Sequence, residues 1–189
     1  MKIERVWSMP NQWTFKIPAI AKLLREEMHK EELGEDKFVW LDPFAGEYSP
    51  ATLRNDIEET HEAEYHMDAL EFLKSRWQDC HVEGVLFDPP YSVEQCLRCY
   101  TPKFKGTAGR AEYWAKCKDE IAGLVRVGGK VISFGWDSCG CGKKRGFEIT
   151  RILLVCHGAC HNDTIVTVEK KIQHQVMPEM IDKLRRRKL

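Results

Sequence analysis

The chain has 189 residues and a formal net charge of zero at pH 7. This length is near the upper range for one hydrophobic core, and no Pro/Gly/Ser-rich linker or repeat divides it, so we expect a single domain over residues 1–189. Zero net charge argues against a general nucleic-acid coat. No signal-peptide region or apolar stretch of about 20 residues is found, which predicts a cytoplasmic protein with no membrane partner.

The first half of the chain predicts alternating helices and strands. Thr14 precedes an apolar helical stripe over residues 19–24 and is a candidate helix cap. Apolar segments then end in acids at Asp42, Asp56 and Asp88, with helix-length stretches between them. This alternation is typical of a doubly wound α/β sheet.

The second half continues the same pattern. Residues 113–127 predict a helix, and a Gly-Gly turn leads to a strand over residues 130–135. Two β-branched segments, 148–156 and 164–169, then predict an antiparallel hairpin. His157 and the rest of its turn are expected at the same edge of the sheet as the acid-ended strands.

Residues 85–91 read Val-Leu-Phe-Asp-Pro-Pro-Tyr, which predicts a buried strand that ends at Asp88. Pro89 and Pro90 stop the strand because proline has no N–H to donate to a sheet. Carboxyl ends of strands border the ligand crevice in open α/β sheets, so Asp88, the Pro89 carbonyl and the Tyr91 ring are expected in a binding site. A carboxylate and a carbonyl accept the N–H groups of a planar amine, while a ring stacks on its face. A plain strand-terminating turn is the alternative.

This motif resembles the catalytic motif of S-adenosylmethionine-dependent DNA amino-methyltransferases, most often those that act on adenine N6. The resemblance implies an α/β fold: a Rossmann-like class I methyltransferase with a seven-stranded mixed sheet of order 3-2-1-4-5-7-6. Six strands would be parallel and the seventh reversed, with helices on both faces. Asp88, Pro89, Pro90 and Tyr91 would be the catalytic residues.

The resemblance also implies where S-adenosylmethionine binds. Residues 38–46 are similar to the family's first cofactor motif, with Tyr48 where a second glycine is usual. Residues 1–37 resemble the segment that closes over the methionine end. The implied cofactor-binding residues are Phe15, Lys16, Asp42, Phe44, Ala45, Gly46, Asp56, Asp68, Ala69 and Asp88. For Asp56 and Asp68, a plain capping role is an equal alternative.

Basic residues form three clusters that are candidates for DNA phosphate contacts. The first lies in an insertion, residues 92–112, and the second follows the predicted fifth strand, so we expect both at the crevice edge. The third lies in a basic tail, residues 170–189, for which a solvated helix end is an equal alternative. The residues of the first two clusters are Lys103, Lys105, Arg110, Lys143, Lys144 and Arg145.

Eight cysteines without a secretory context indicate thiols or a metal site more than disulfides. Cys96 and Cys99 follow the predicted fourth strand, and Cys139 and Cys141 follow the fifth, so the pairs are expected side by side. Four such thiolates suit a structural zinc, and reduced thiols without a metal are the alternative. His157 and His161 in the hairpin turn are secondary site candidates, or parts of an ordinary turn.

The leading hypothesis is therefore methylation of adenine N6 in DNA, with little sequence specificity because no stretch is long enough for a separate recognition domain. Cytosine N4, RNA or a protein amide are alternative targets, and a nucleic-acid-binding subunit without activity is the non-enzymatic alternative. A homodimer or a separate specificity partner is left open.

Overall fold

The structure is a computed structural model, and the residues it describes are 1–28, 38–75, 77, 81–91, 111–158 and 161–173. Its strands and helices alternate along most of the chain. In chain order, they are β1 (Lys2–Trp7), a 3-10 turn (Thr14–Lys16), α1 (Pro18–Glu27), β2 (Phe38–Asp42), β3 (Leu53–Arg54), α2 (Ala69–Lys74), β4 (His81–Phe87), α3 (Ala111–Leu124), β5 (Lys130–Gly135), a second 3-10 turn (Lys143–Arg145), β6 (Phe147–Cys156) and β7 (Thr164–Lys171).

The strands form one seven-stranded sheet in the order β3-β2-β4-β5-β7-β6-β1. All neighbours are parallel except β7, which runs antiparallel to both β5 and β6. The predicted fold class is confirmed, as is the predicted order of the six strands from β2 onward. The seventh strand is β1, at the edge beside β6. Beyond β3, where the sequence predicts a further strand, the described residues contain an isolated bridge between Asn55 and Tyr65.

Helices cover both faces of the sheet. On one face, α2 and α3 pack over β2, β4 and β5, around side chains such as Phe72, Ile121 and Val85. On the other face, α1 packs over the middle strands through Ile20 and Leu23. We call these the α3 face and the α1 face. Among the described residues, no helix is both long and apolar enough to cross a membrane.

Two of the connections between parallel strands are unusually short. Residues 43–52 join β2 to β3 without a helix, and residues 136–146 join β5 to β6 with only a three-residue 3-10 turn. Parallel strands need a crossover that returns the chain to the starting edge, usually through a helix. Both connections therefore lie close to the sheet. Because they contain no α-helix, they leave some side chains of the sheet accessible to solvent.

Candidate active site

A cleft of about 770 Å³ lies at the carboxyl edge of the sheet. Six chain segments line it: those that follow β1, β2, β3, β4 and β5, and the turn between β6 and β7. Its size is within the roughly 300–1,000 Å³ of small-molecule sites. The predicted catalytic residues Asp88, Pro89, Pro90 and Tyr91 line this cleft together with Phe15, Phe44, Ala45 and Gly46.

Asp88 lies directly after β4, where its strand is buried and its own side chain is half-buried. The Tyr91 hydroxyl donates to Asp88 Oδ1 at 2.7 Å. Loss of solvent raises the pKa of Asp88 to about 6, although hydrogen bonds from Tyr91 and Thr14 act to lower it. A carboxylate has about four lone-pair positions, so Asp88 retains acceptor capacity for an incoming N–H group.

Thr14 is a site residue that the sequence interpretation assigned to helix capping. Instead, α1 begins at Pro18 with Ile17 at its N-cap, and Thr14 lies in the preceding 3-10 turn. Its side chain hydrogen-bonds to Asp88 and to Tyr91. The predicted Thr14 cap is thus wrong, because Pro18 fixes the helix start. The N-terminal segment is joined to Asp88 and Tyr91 through this hydroxyl.

Trp136 is a second residue that the sequence interpretation missed. It follows the last residue of β5, its ring lies 5.7 Å from the Tyr91 ring at an angle of 71°, and it remains 48% exposed. A large aromatic side chain directly after a strand end, at the edge that carries the acids, was the available signal. Trp136 and Tyr91 thus place two aromatic rings beside the Asp88 carboxylate.

The loop after β2 has two residues in the left-handed conformation, Gly46 with φ +51° and Tyr48 with φ +68°. Tyr48 therefore takes a backbone conformation that favours glycine, at the cost of local strain. Its ring packs edge-on against Trp13, with centroids 6.0 Å apart, and Lys16 Nζ lies 3.5 Å from the ring centroid. These contacts hold the Tyr48 side chain in place at the tight turn.

Phe15 and Lys16, which the resemblance implies as cofactor-binding residues, differ in their surroundings. Phe15 is buried, lines the cleft and packs edge-on against Phe134 at 5.6 Å. Lys16 is exposed, and its ammonium contacts Tyr48. Phe15 can therefore form a wall of the cleft, whereas Lys16 supports the neighbouring loop.

The carboxylates of Asp42, Asp56 and Asp68 bind the protein's own groups. Asp42 accepts from the Phe44 amide at 2.9 Å and from Ser49 Oγ at 2.6 Å. The other two acids accept from backbone amides: Asp56 from Gly46 and Glu58, both at 2.8 Å, and Asp68 from Leu70 and Glu71 at the start of α2. These acids hold the loops around the cleft in shape, and a direct contact with a cofactor stays a prediction.

Asp56 and Ala69 border a narrow crevice beside Phe44 and Pro90, with a volume of about 10 Å³. This is room for about one water molecule and not for an adenine ring. If the cofactor's base binds there, Phe44 and the start of α2 must move apart.

Burial has a consequence for stability at Asp42, since it raises the pKa of this carboxyl to about 7. The folded value exceeds that of an unfolded aspartate, so the charged form is disfavoured in the folded state, and stability falls as pH rises from about 4 through about 7. Asp42→Asn should remove this loss. The difference in free energy of unfolding between the variant and the parent should therefore shift in favour of the variant by roughly 1–3 kcal/mol from pH 5 to pH 8.

Urea unfolding at pH 5 and pH 8 measures this difference, with Glu148→Gln, a change of an exposed side chain of β6, as the control. Asp88 titrates in the same range, so the comparison with Asp42→Asn isolates the contribution of Asp42. An equal pH dependence in parent and variant would contradict the assignment.

The two histidines of the β6–β7 turn line the cleft but differ in their bonding. His157 is buried, with Nδ1 at 2.9 Å from the Ser8 carbonyl oxygen and Nε2 at 3.0 Å from Thr164 Oγ1. His161 is exposed. His157 therefore fixes the turn, and its side chain has no ring nitrogen left for a ligand. The turn lies on the same side of the sheet as Asp88, as predicted.

The basic cluster Lys143–Arg145 lies at the opposite edge of the sheet, which corrects the predicted position at the crevice. This turn precedes β6, whose first residue, Phe147, pairs with Lys171 at the end of β7. The carboxyl end of β5 instead pairs with Ile165, near the start of β7. The crossover between parallel strands carries Lys143, Lys144 and Arg145 away from Asp88, and Arg145 forms an ion pair with Asp119 of α3. Lys103, Lys105 and Arg110 are outside the described residues.

Cys139 and Cys141 lie in the same return segment, and not at the carboxyl edge. Lys118 of α3 donates to the Cys139 carbonyl at 2.8 Å. Burial, with the nearby Glu169 carboxylate, raises the pKa of the Cys141 thiol to about 12, which disfavours the thiolate. Cys96 and Cys99 are outside the described residues, and the described part of the chain contains no group of three or more metal-ligating side chains. The zinc site stays a prediction.

No protein-family model matches this sequence, and no curated protein matches it. Among solved structures, the chain is similar to TrmN from Thermus thermophilus, with 16% identity and a TM-score of 0.49 over 82% of this chain. It spans 49% of the TrmN chain, about half of its length.

Two further solved structures are similar over most of both chains. An rRNA methylase from Streptococcus thermophilus has 13% identity and a TM-score of 0.40, with 73% of this chain and 89% of that chain covered. A methyltransferase from Pyrococcus furiosus has 11% identity and a TM-score of 0.39, with 87% of each chain covered. At these identities and TM-scores, the similarity concerns the fold alone.

Proposed function

We propose that the protein transfers a methyl group from S-adenosylmethionine to the N6 amine of adenine in DNA. The observation that carries this proposal is the arrangement around Asp88. A carboxylate and the Pro89 carbonyl stand at the rigid end of β4, the rings of Tyr91 and Trp136 lie beside them, and all line one cleft with the Gly46 loop.

The chemistry follows from the acceptors. Asp88 and the Pro89 carbonyl accept the two N–H groups of an exocyclic amine, which turns the nitrogen lone pair out of conjugation with the ring. Asp88 thereby holds the amine in line for attack and stabilises the positive charge that develops on nitrogen. The Tyr91 ring, with Trp136 beside it, provides an aromatic surface for the base. A base in a duplex must first leave the helix, which costs a few kcal/mol.

S-adenosylmethionine would supply a methyl group already activated on a positively charged sulfur. The residues that would hold it are Phe15, Phe44, Ala45 and Gly46, which line the cleft beside Asp88. Gly46 fits this role through its backbone, since φ +51° favours glycine and lets the loop turn tightly at the cleft.

The pKa of Asp88 predicts how activity depends on pH. Only the ionised carboxylate has all of its acceptor positions, so transfer should fall as pH decreases through about 6. The Thr14 hydrogen bond lowers the pKa of Asp88, so Thr14→Val should move the acid limb of the profile to higher pH while activity at pH 8–9 stays within about fivefold of the parent.

Thr14→Ser is the matched control, since it keeps the hydroxyl and should leave the limb in place. The measurement is kcat against pH for the three proteins. A loss in Thr14→Val that is equal at every pH would contradict this positioning role.

We also propose that target recognition is short or permissive. The described lining of the cleft contains no Lys or Arg, and the described residues include no second folded unit that could read several base pairs in a groove. Sequencing of DNA methylated by the purified chain tests this. Modification confined to one site of four or more defined bases would contradict it, whereas methylation at many adenine contexts is expected.

The direct test of the function is methyl transfer from labelled S-adenosylmethionine to matched substrates. We expect label in adenine-containing DNA, and none in the same DNA whose adenines already carry N6-methyl groups. Label in cytosine, in RNA or in protein would show that this molecule, and not adenine in DNA, is the target. Calorimetry with S-adenosylhomocysteine separates these outcomes from the non-enzymatic alternative, for which no binding heat is expected.

A further inference from the structure

Three large side chains are exposed at the carboxyl edge of the sheet, around the mouth of the cleft. Trp7, the last residue of β1, is 64% exposed, Met9 is 65% exposed, and Trp136, which follows β5, is 48% exposed. No other tryptophan among the described residues is exposed. Large apolar side chains that are grouped beside a cleft, and not scattered over a surface, indicate an interaction site. We call Trp7, Met9 and Trp136 the exposed rim.

The exposed rim is continuous with the lining of the cleft. Trp136 itself lines the cleft, and so do residues 10–14, which come directly after Met9. Trp7 lies against the turn between β6 and β7, because a Cβ on Gly158 would be 3.3 Å from Trp7 Nε1. The same turn lines the cleft through His161. A ligand that extends out of the cleft over this turn therefore reaches Trp7.

The order of the strands gives the length of this path. From β5 to β1 the neighbours are β5, β7, β6 and β1. Adjacent strands lie about 4.8 Å apart, so the ends of β5 and β1 are about 14 Å apart. About four stacked nucleotides span that length, at roughly 3.4 Å each. A strand that leads away from a base at Asp88 would thus pass Trp136 first and reach Trp7 within about four nucleotides.

The charges along this path are few. The described lining of the cleft contains no Lys or Arg. Arg5, two residues before Trp7 and on the same face of β1, is exposed and donates to Cys156 Sγ at 3.2 Å. The Asp163 carboxylate attracts this guanidinium and offsets part of its charge. Attraction for phosphates is therefore weak among the described residues, and aromatic stacking is the main interaction that the exposed rim offers.

Exposed tryptophans suit bases that are not paired. In a duplex, each base is stacked on its neighbours, so its face is closed to a protein side chain until the helix opens. In a single strand, aromatic side chains stack on successive bases and tolerate any sequence. An unpaired target base also avoids the cost of leaving a helix.

We propose that the substrate is DNA that is single-stranded around the target adenine, and that a base within about four nucleotides of this adenine stacks on Trp7. This inference rests on the proposed function, since it specifies the form of the DNA. Arg5 would contact a phosphate beside the stacked base. Because stacking does not distinguish strongly between bases, this contact agrees with the short or permissive recognition proposed above.

The proposal is tested by binding of a labelled oligonucleotide with one central adenine, single-stranded or as a duplex, in the presence of S-adenosylhomocysteine. We expect the single strand to bind at least about tenfold more tightly. Trp7→Ala should weaken binding of the single strand about 5–50-fold, whereas Trp7→Phe, which keeps a ring, should stay within about threefold. Val127→Ala, which changes an exposed side chain outside the rim, is the control and should bind as the parent does.

A series of abasic sites locates the contact. One site within about four positions of the adenine should weaken binding by the parent and cause no further loss in Trp7→Ala, as in a double-mutant cycle. The loss in Trp7→Ala should be the same at low and high salt, because stacking is not screened. In methyl transfer, Trp7→Ala should raise KM and leave kcat unchanged, since Trp7 lies outside the candidate catalytic residues.

Three results would overturn the proposal: equal affinity of the parent for the single strand and the duplex, equal affinity of the parent and a folded Trp7→Ala protein for the single strand, or a dimer of the parent that Trp7→Ala dissociates. The dimer would show that a second copy covers the rim. An oligoribonucleotide of the same sequence separates this proposal from the proposed function. Tighter binding of that RNA, with the same loss in Trp7→Ala, would support the stacking contact and overturn DNA as the substrate.

Discussion

Asp88→Ala should reduce methyl transfer at least about a thousandfold, equivalent to about 4 kcal/mol of transition-state stabilisation. The substitution removes an acceptor for the amine at the end of a buried strand, and no other carboxylate among the described cleft residues lies in the same position. Loss of solvent raises the pKa of Asp88, so the charged form is disfavoured in the folded state at neutral pH. The variant should therefore lose no more than about 1 kcal/mol of stability.

The measurement is kcat with saturating cofactor, together with the free energy of unfolding from urea titration. Glu148→Ala, which removes an exposed carboxylate of β6, is the control and should keep full activity. A folded Asp88→Ala protein with turnover within about tenfold of the parent would rule out the assigned role.

Tyr91→Ala should reduce transfer about a hundredfold or more, because it removes the ring on which the base stacks. Tyr91→Phe keeps the ring and loses the hydroxyl that donates to Asp88 at 2.7 Å. We expect Tyr91→Phe to stay within about tenfold of the parent at pH 8, with its acid limb shifted to higher pH because that hydrogen bond lowers the pKa of Asp88.

The comparison of the two variants at pH 6 and pH 8 separates the functions of the ring and the hydroxyl. Trp136→Ala serves as the companion variant, since its ring lies 5.7 Å from Tyr91, and a smaller loss is expected because it is the more exposed of the pair. Equal losses in Tyr91→Ala and Tyr91→Phe at pH 8 would show that stacking is not the role of Tyr91.

The position of the candidate catalytic motif at the cleft could be predicted from sequence because its signal is local. Asp88, Pro89 and Tyr91 are adjacent, and prolines after an apolar run determine where the strand ends. The contacts of Thr14 and Trp136 with this motif could not be predicted, since they join segments that are distant in the chain. A threonine before an apolar helical stripe is equally compatible with a cap.

The predicted position of the second basic cluster, residues 143–145, was wrong for a different reason. The sequence shows that residues 143–145 follow β5, but not that the chain has already crossed to the amino edge before β6 begins. Asp42 is the last residue of β2, as predicted, whereas Asp56 lies two residues beyond the end of β3 at Arg54. Their hydrogen bonds to loop amides depend on the conformation of residues 43–52, which a sequence pattern does not determine.

The most direct test of the central claim is mass spectrometry of nucleosides from the DNA of cells that express the chain. We predict N6-methyladenine in cells with the parent protein, absent from cells with Asp88→Ala at equal expression. The claim would be contradicted if DNA from cells with the parent protein and DNA from cells with Asp88→Ala had the same content of every methylated nucleoside.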